Sequence, residues 1–175
     1  MATTWILDPN HTEVKFKIKH LVISSVTGYF NNFNGTVETT QDDFSDAKVT
    51  FEADINSIST KNEQRDGHLK SADFFDAANH PKLTFVSTWI SKKDDTDYEL
   101  SGNLTIRGVT KPITLKVEYN GTVKGFGVDE VAAFELEGKI NRKDFGLIWN
   151  GLTETGGVVV GDEVKLDITA ELVKS

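Results

Sequence analysis

Four histidines, one cluster of charged residues and the absence of a residue type define the chemistry open to this chain of 175 residues. It contains no cysteine, so thiol nucleophiles, thiolate-ligated zinc and disulfides are all excluded. The main polar cluster is Arg65, His68 and Lys70. On a helix, Arg65 and His68 stand three residues apart and share a face. A guanidinium there offers paired donors to an anionic or carbonyl oxygen. The same segment admits a structural reading, in which Arg65 and Asp66 pair with neighbours and dock the helix. His11 with His20, and His68 with His80, lack the i, i+4 spacing of a helical zinc pair, so no metal is expected. A Ser71–His68–Asp66 set can be drawn, but no G-x-S-x-G elbow supports a nucleophile.

The elements that must carry these residues are mostly strands. Period-2 alternation puts successive side chains on opposite sheet faces. Val14, Phe16 and Ile18 alternate with Lys15, Lys17 and Lys19, and Val49, Phe51, Ala53 and Ile55 with Lys48, Thr50, Glu52 and Asp54. The pattern returns at Leu100 to Ile106, Ile113 to Tyr119, Ala132 to Ile140 and Val164 to Leu172. One dry face and one wet face is the signature of an antiparallel sheet. Segment 82–90 is mixed: Leu83, Phe85 and Trp89 form one row while Val86 and Ile90 lie on the other, as if both faces were covered. Asn34-Gly35, Asn120-Gly121 and Asn150-Gly151 read as turns, segment 120–129 as a longer glycine-rich loop, and the acidic stretch 41–43 as a solvated loop.

One region breaks the rhythm. Thr60-Lys61-Asn62-Glu63 has capping-box spacing and predicts a helix over 61–70, and His20 to Ser24 reads as a second short helical bridge. No linker or repeat divides the chain, so residues 1–175 are one domain. About eight alternating runs would leave exposed edges and an uncovered apolar face as an open sheet. Closing into an all-β antiparallel barrel removes both, with a β-sandwich as the alternative fold, and a barrel of roughly eight strands holds either packed side chains or one small ligand. Small inward residues, Gly102 and Gly138 among them, favour a cavity, unless they serve strand curvature.

Composition narrows the function. The net charge of −8 and the absence of a basic stripe argue against nucleic-acid binding. No stretch approaches the roughly 20 apolar residues of a membrane-spanning helix. Met1 to Trp5 leads into a strand without a basic, then apolar, leader. The expected compartment is therefore the cytoplasm, or the periplasm if a signal peptide has been trimmed. Monomer and homodimer both stay open.

Several stretches, in order and nearly end to end, resemble the YceI-like family of lipid-binding proteins. They are Trp5 to Thr12 with Val14-Lys15-Phe16 and His20; Gly28-Tyr29-Phe30 with Phe33-Asn34-Gly35; and Ile58-Ser59-Thr60 leading into Arg65-Asp66-Gly67-His68-Leu69. Asp73-Phe74-Phe75-Asp76, Pro81, Phe85, Gly102 to Thr110, Ile140 to Leu147 and Val160-Gly161-Asp162 complete the series. The resemblance implies an extended lipocalin-like barrel whose pore takes a polyisoprenoid chain, a quinone or a polyprenyl phosphate. Many members carry a signal peptide, from which this sequence departs.

The expected lining of such a pore is Phe16, Ile18, Phe51, Phe85, Trp89, Leu104, Ile106, Leu115, Val117, Phe134, Leu136, Leu166 and Ile168, although each equally suits plain core packing. Phe74 and Phe75 follow the helix and are placed to gate the mouth, with Arg65, His68 and Lys70 as head-group candidates. The favoured reading is a non-enzymatic carrier of a long-chain amphiphile without a further cofactor. The alternative is a barrel enzyme, a cyclase or hydrolase, using His68, His11 or Asp66 as acid or base. The inward rows contain almost no titratable group, which favours the carrier.

Overall fold

The computed structural model describes residues 2–125, 127, 130–150 and 159–175. Among these residues, eleven strands form one antiparallel sheet: β1 (Thr3–Leu7), β2 (Glu13–His20), β3 (Ser24–Phe30), β4 (Phe33–Thr39), β5 (Lys48–Asp54), β6 (Ile58–Ser59), β7 (Lys82–Lys92), β8 (Asp97–Ile106), β9 (Val109–Lys124), β10 (Glu130–Asn141) and β11 (Val160–Lys174). One helix, α1 (Glu63–Lys70), lies between β6 and β7. The order β1-β4-β5-β7-β8-β9-β10-β11 closes on itself through a β1–β11 pairing, giving an eight-stranded lipocalin-like barrel. No helix among the described residues is long and apolar enough to cross a membrane.

The remaining strands form a flap. β11 has 15 residues and is about 50 Å long, so it has room for two partners along one edge. Near its C-terminus Leu172 faces Leu7 of β1, while nearer its start Leu166 faces Phe16 of β2. β2 then pairs with β3, and β3 with the two-residue β6. Between β1 and β2 the chain bends at Asp8, whose carboxylate accepts from the Asn10 N–H at 3.0 Å and meets His11 Nδ1 at 2.8 Å.

Several local expectations need correction. Residues 20–24 are not helical: His20 pairs with Ser24, and Leu21 and Val22 turn the β2–β3 hairpin at φ 53° and 70°. The helix starts later than 61, because Lys61 is at φ 64° and Asn62 is the cap, accepting from the Arg65 N–H. Asn34-Gly35 lies inside β4, where Gly35 faces Phe51. Asn120 is a bulge in β9 rather than a loop, since Tyr119 faces Phe134 and Gly121 faces Ala133. Strand β9 therefore runs through 120–124, and of the anticipated loop residues 126, 128 and 129 lie outside the described residues. Of the third turn, Gly151 lies outside the described residues, and the Asn150 side chain bonds the backbone of Val159 and Val160.

The mixed pattern of β7 also has a single cause. Ser87 faces Gly102 but Trp89 faces Ser101, so Thr88 is an extra residue and the in–out phase flips. Phe85 and Ile90 both point inward, while Trp89 is 59% exposed, so the outer face is not covered.

Candidate functional site

The barrel encloses a cavity of about 610 Å³, open at the end where α1 lies. That is within the range of sites that bury a small-molecule ligand. Its walls are the inward rows of the strands. β2 contributes Phe16 and Ile18, β5 Phe51, β7 Phe85, β8 Leu104 and Ile106, β9 Leu115 and Val117, β10 Phe134 and Leu136, and β11 Leu166 and Ile168. Phe74 and Phe75, from the segment after α1, line it too. Trp89 stands outside, for the reason given by the bulge, and Ile90 takes the place expected for it.

The glycines in these rows do not leave empty space. A Cβ at Gly102 would lie 2.5 Å from the Phe85 ring, and one at Gly138 would lie 2.5 Å from Leu115 Cδ2. Each glycine receives a large side chain from the next strand, which lets that side chain lie flat on the wall. The cavity exists because the wall residues lie back, not because glycines are vacant.

The floor is a feature that sequence reading missed. Phe44, from the acidic loop 40–47, is only 2% exposed and is held at φ 63°. Its ring packs 5.2 Å from Trp5, 5.5 Å from Tyr119 and 5.0 Å from Phe134. Asp46 fastens the loop by accepting from the Thr39 hydroxyl at 2.6 Å and from the Thr40 N–H at 2.9 Å. These hydroxyl and amide bonds hold its carboxyl well below the usual carboxylate range. Asp43 is lowered to about 2 by Ser45 and by Lys92, which stands 3.0 Å away. Tyr98 lines the floor and bonds the Asp43 carbonyl, and burial pushes its hydroxyl up. A lone Phe amid Gln41-Asp42-Asp43 was the available signal, since solvated loops have no use for a large ring.

The polar rim lies at the other end. Arg65 and His68 border the cavity; Lys70 does not. Arg65 sends Nε to the Thr60 hydroxyl at 2.7 Å and Nη2 to the Thr60 carbonyl at 2.6 Å, leaving Nη1 without a protein partner among the described residues. Asp66 accepts from the Thr60 N–H at 2.8 Å and from its hydroxyl at 2.5 Å. Thr60 therefore docks the helix through both residues, as the structural reading anticipated. His68 meets Asp73 through Nε2 at 2.8 Å, with its ring edge-on to Trp149 and Phe74 at 4.6 and 5.1 Å.

Arg142, also unassigned by sequence reading, is 3% exposed at the same rim. It donates to the carbonyls of Leu147, Trp149, Gly161 and Val160 at 2.6, 2.8, 2.7 and 3.3 Å, clamping segment 147–149 to the start of β11. Burial draws its guanidinium down from the ordinary arginine value, and Asp162 at 3.8 Å opposes that shift. Its place just after β10, with Asn141 capping the following turn, was visible in the sequence; its four carbonyl partners were not. Outside the cavity, Asp8, His11 and Glu171 bring ligand-type atoms within 4.8 Å of one another. A test of helical histidine spacing misses this group, because it joins a turn to a distant strand. The Asp8–His11 bond already serves that turn.

A closed antiparallel barrel around one deep apolar cavity, with a few polar groups at a single rim, defines a lipocalin-like class of protein. Within it, residues 5–172 match the YceI-like domain, and the chain belongs to that family. A UPF0312 protein from Staphylococcus aureus strain MSSA476 is 41% identical over 97% of this chain and 96% of its own. The crystal structure of the Campylobacter jejuni YceI protein is 35% identical with a TM-score of 0.75, covering 90% of this chain and 89% of that one. A protein from Saccharophagus degradans, described as a polyisoprenoid binding domain, shares the fold at 16% identity and a TM-score of 0.67, over 98% of both chains.

Proposed function

We propose that this protein binds and carries a long-chain amphiphile, a polyisoprenoid such as a quinone or polyprenyl phosphate, without transforming it. The observation that carries the reading is the cavity of about 610 Å³, walled by apolar side chains, floored by Phe44 and bordered at the opposite end by α1 and Arg142. Burial of each CH₂ contributes roughly 0.8 kcal/mol, so a few isoprene units exceed the 4–15 kcal/mol that association costs. Selection then follows length and bend, with Phe44 setting the depth. The head group rests at the rim, where Arg65 Nη1 and the edge of His68 are available. The polyisoprenoid-binding description of the Saccharophagus degradans protein supports the choice of ligand.

A cyclase or hydrolase would need an acid or base inside the walls. Of the three candidates, Asp66 is bonded to Thr60, His11 sits at the β1–β2 turn, and His68 stands at the rim against Asp73. Carriage fits this arrangement better. Native mass spectrometry of the protein from its own host, followed by titration with a series of isoprenoid lengths, tests it. A co-purified long-chain lipid and affinity that rises with length until the floor is reached are expected. An empty cavity with no length dependence, or turnover of the added chain, would overturn the reading.

A further inference from the structure

The tip of the β2–β3 hairpin breaks two rules at once. Leu21, Val22 and Ile23 are consecutive apolar residues at an exposed turn, Val22 68% and Ile23 88% accessible. Leu21 and Val22 also occupy the left-handed region, which asparagine or glycine adopts far more readily than a β-branched residue. A turn selected for folding would carry neither property, and such local violations gather where a surface is used. Leu21 donates its N–H to the Val159 carbonyl at 2.9 Å, and Lys19, His20 and Val159 line the cavity. Ile148, 67% exposed, lies between Leu147 and Trp149 of the same rim. The apolar tip is therefore continuous with the mouth.

Behind the tip runs a row of cations, and the acids interspersed with it are paired. Lys17 of β2 faces Lys165 of β11, which faces Lys139 of β10, three like charges directly opposite one another across three strands. Such a row is destabilising in an isolated sheet. The nearby acids are engaged elsewhere: Glu163 with Lys139 at 3.5 Å, Asp162 with Lys143 at 3.3 Å, and Asp167 with Lys15 at 3.5 Å. Lys17, Lys19 and Lys165 make no ion pair among the described residues. Lys19 and Lys17 stand about 7 and 13 Å back along the strand from Leu21, a spacing that suits the head-group zone once the tip is in the acyl boundary. In a chain of net charge −8, this places cationic groups where an anionic surface would meet the mouth.

We propose that this hairpin docks the protein on an anionic lipid bilayer, with Leu21, Val22 and Ile23 in the interface and Lys17, Lys19 and Lys165 against lipid phosphates. Docking sets the mouth on the bilayer, so that a chain leaves the acyl layer and enters the cavity without crossing water. The transfer step rests on the carrier reading above; the docking does not.

Flotation of delipidated protein with vesicles of phosphatidylcholine, with and without phosphatidylglycerol, tests the docking. Binding to the mixed vesicles is expected, weakening as salt is raised. The triple variant Leu21→Asn, Val22→Gly, Ile23→Ser should lose about tenfold or more of that binding. Its melting temperature should hold or rise, because asparagine and glycine accept the positive φ. Lys17→Gln with Lys165→Gln should lower binding several-fold on phosphatidylglycerol vesicles alone. Uptake of a fluorescent long-chain probe without vesicles should be unchanged in the tip variant, and loss of that uptake in the wild type would instead count against the carrier reading. Absence of wild-type binding to the mixed vesicles, or equal binding by the tip variant, would overturn the proposal. So would a dimer in sedimentation equilibrium that the tip variant dissolves, since a second copy would then cover the hairpin.

Discussion

The two ends of the barrel are closed by opposite means. At the floor, loop 40–47 turns inward and seals the cavity with a buried aromatic ring, fastened by carboxylates that accept from hydroxyls and amides. At the mouth, α1 buries no residue of its own and is held chiefly through Thr60, while a buried cation clamps four carbonyls beside it. The floor turns on one ring packed against three others, whereas at the mouth the buried Phe74, Phe75 and Phe145 lie beside a helix that buries nothing and is held by hydrogen bonds to a few residues. Regions with few buried apolar contacts open at lower free energy than the core. Within the mouth, α1 is thus the element expected to open first.

Replacing Phe44 by Ala should give the largest effect. It removes a ring packed against three others, and such truncations cost about 3–5 kcal/mol. Denaturant unfolding measures the loss. In isoprenoid titrations the variant should also accept longer chains than the wild type, because its floor is open. Unchanged length preference would mean that Phe44 seals the fold without measuring the ligand.

Arg142→Met should come next, at about 2–3 kcal/mol, since carbonyls are left to find water and the methionine fills much of the stem volume. Hydrogen exchange should show the effect confined to residues 147–149 and 159–161, with the floor loop still protected. Equal loosening of both ends would dissolve the contrast between them.

How far the sequence reaches follows the same division. The barrel walls were legible, because alternation depends on each strand alone and survives in any register. Trp89 was not, since a single extra residue at Thr88 reverses the phase of everything after it, and nothing in the local sequence marks the bulge. The glycines misled for a related reason: the space above Gly102 and Gly138 is decided by Phe85 and Leu115 on neighbouring strands. The helix was anticipated but its start and cap were not, because Thr60 is spent on Asp66 and Arg65 while Asn62 starts the helix. Both closures of the barrel rest on contacts that alternation does not encode: Phe44 meets rings on distant strands, and Arg142 reaches the carbonyls of the segment that follows it and of the start of β11. Only the tip 21–23 stood out locally, and there its apolar residues read as a helix because a hairpin turn does not ordinarily hold them.

The smallest expected effect sharpens the account of the floor through pH. Asp46 is half-buried on the loop, and its bonds to Thr39, Thr40 and Gln41 secure a loop rather than a core. Its folded pKa lies below the ordinary value of 3.8, so the charged form is favoured by folding. That contribution is present in full above the unfolded pKa and is lost as pH falls toward the folded one. Asp46→Asn keeps one acceptor oxygen but no charge. It should lower the melting temperature by a few degrees at pH 7, and the gap should narrow below about pH 4, where the wild type begins to lose the same contribution. Asp43, lowered to about 2 on the same loop, would add to the acid sensitivity of both proteins equally and cancel in the difference. Paired thermal melts across this range read the effect directly. A gap that stayed constant with pH would mean that the shape of the side chain, rather than its charge, holds the loop.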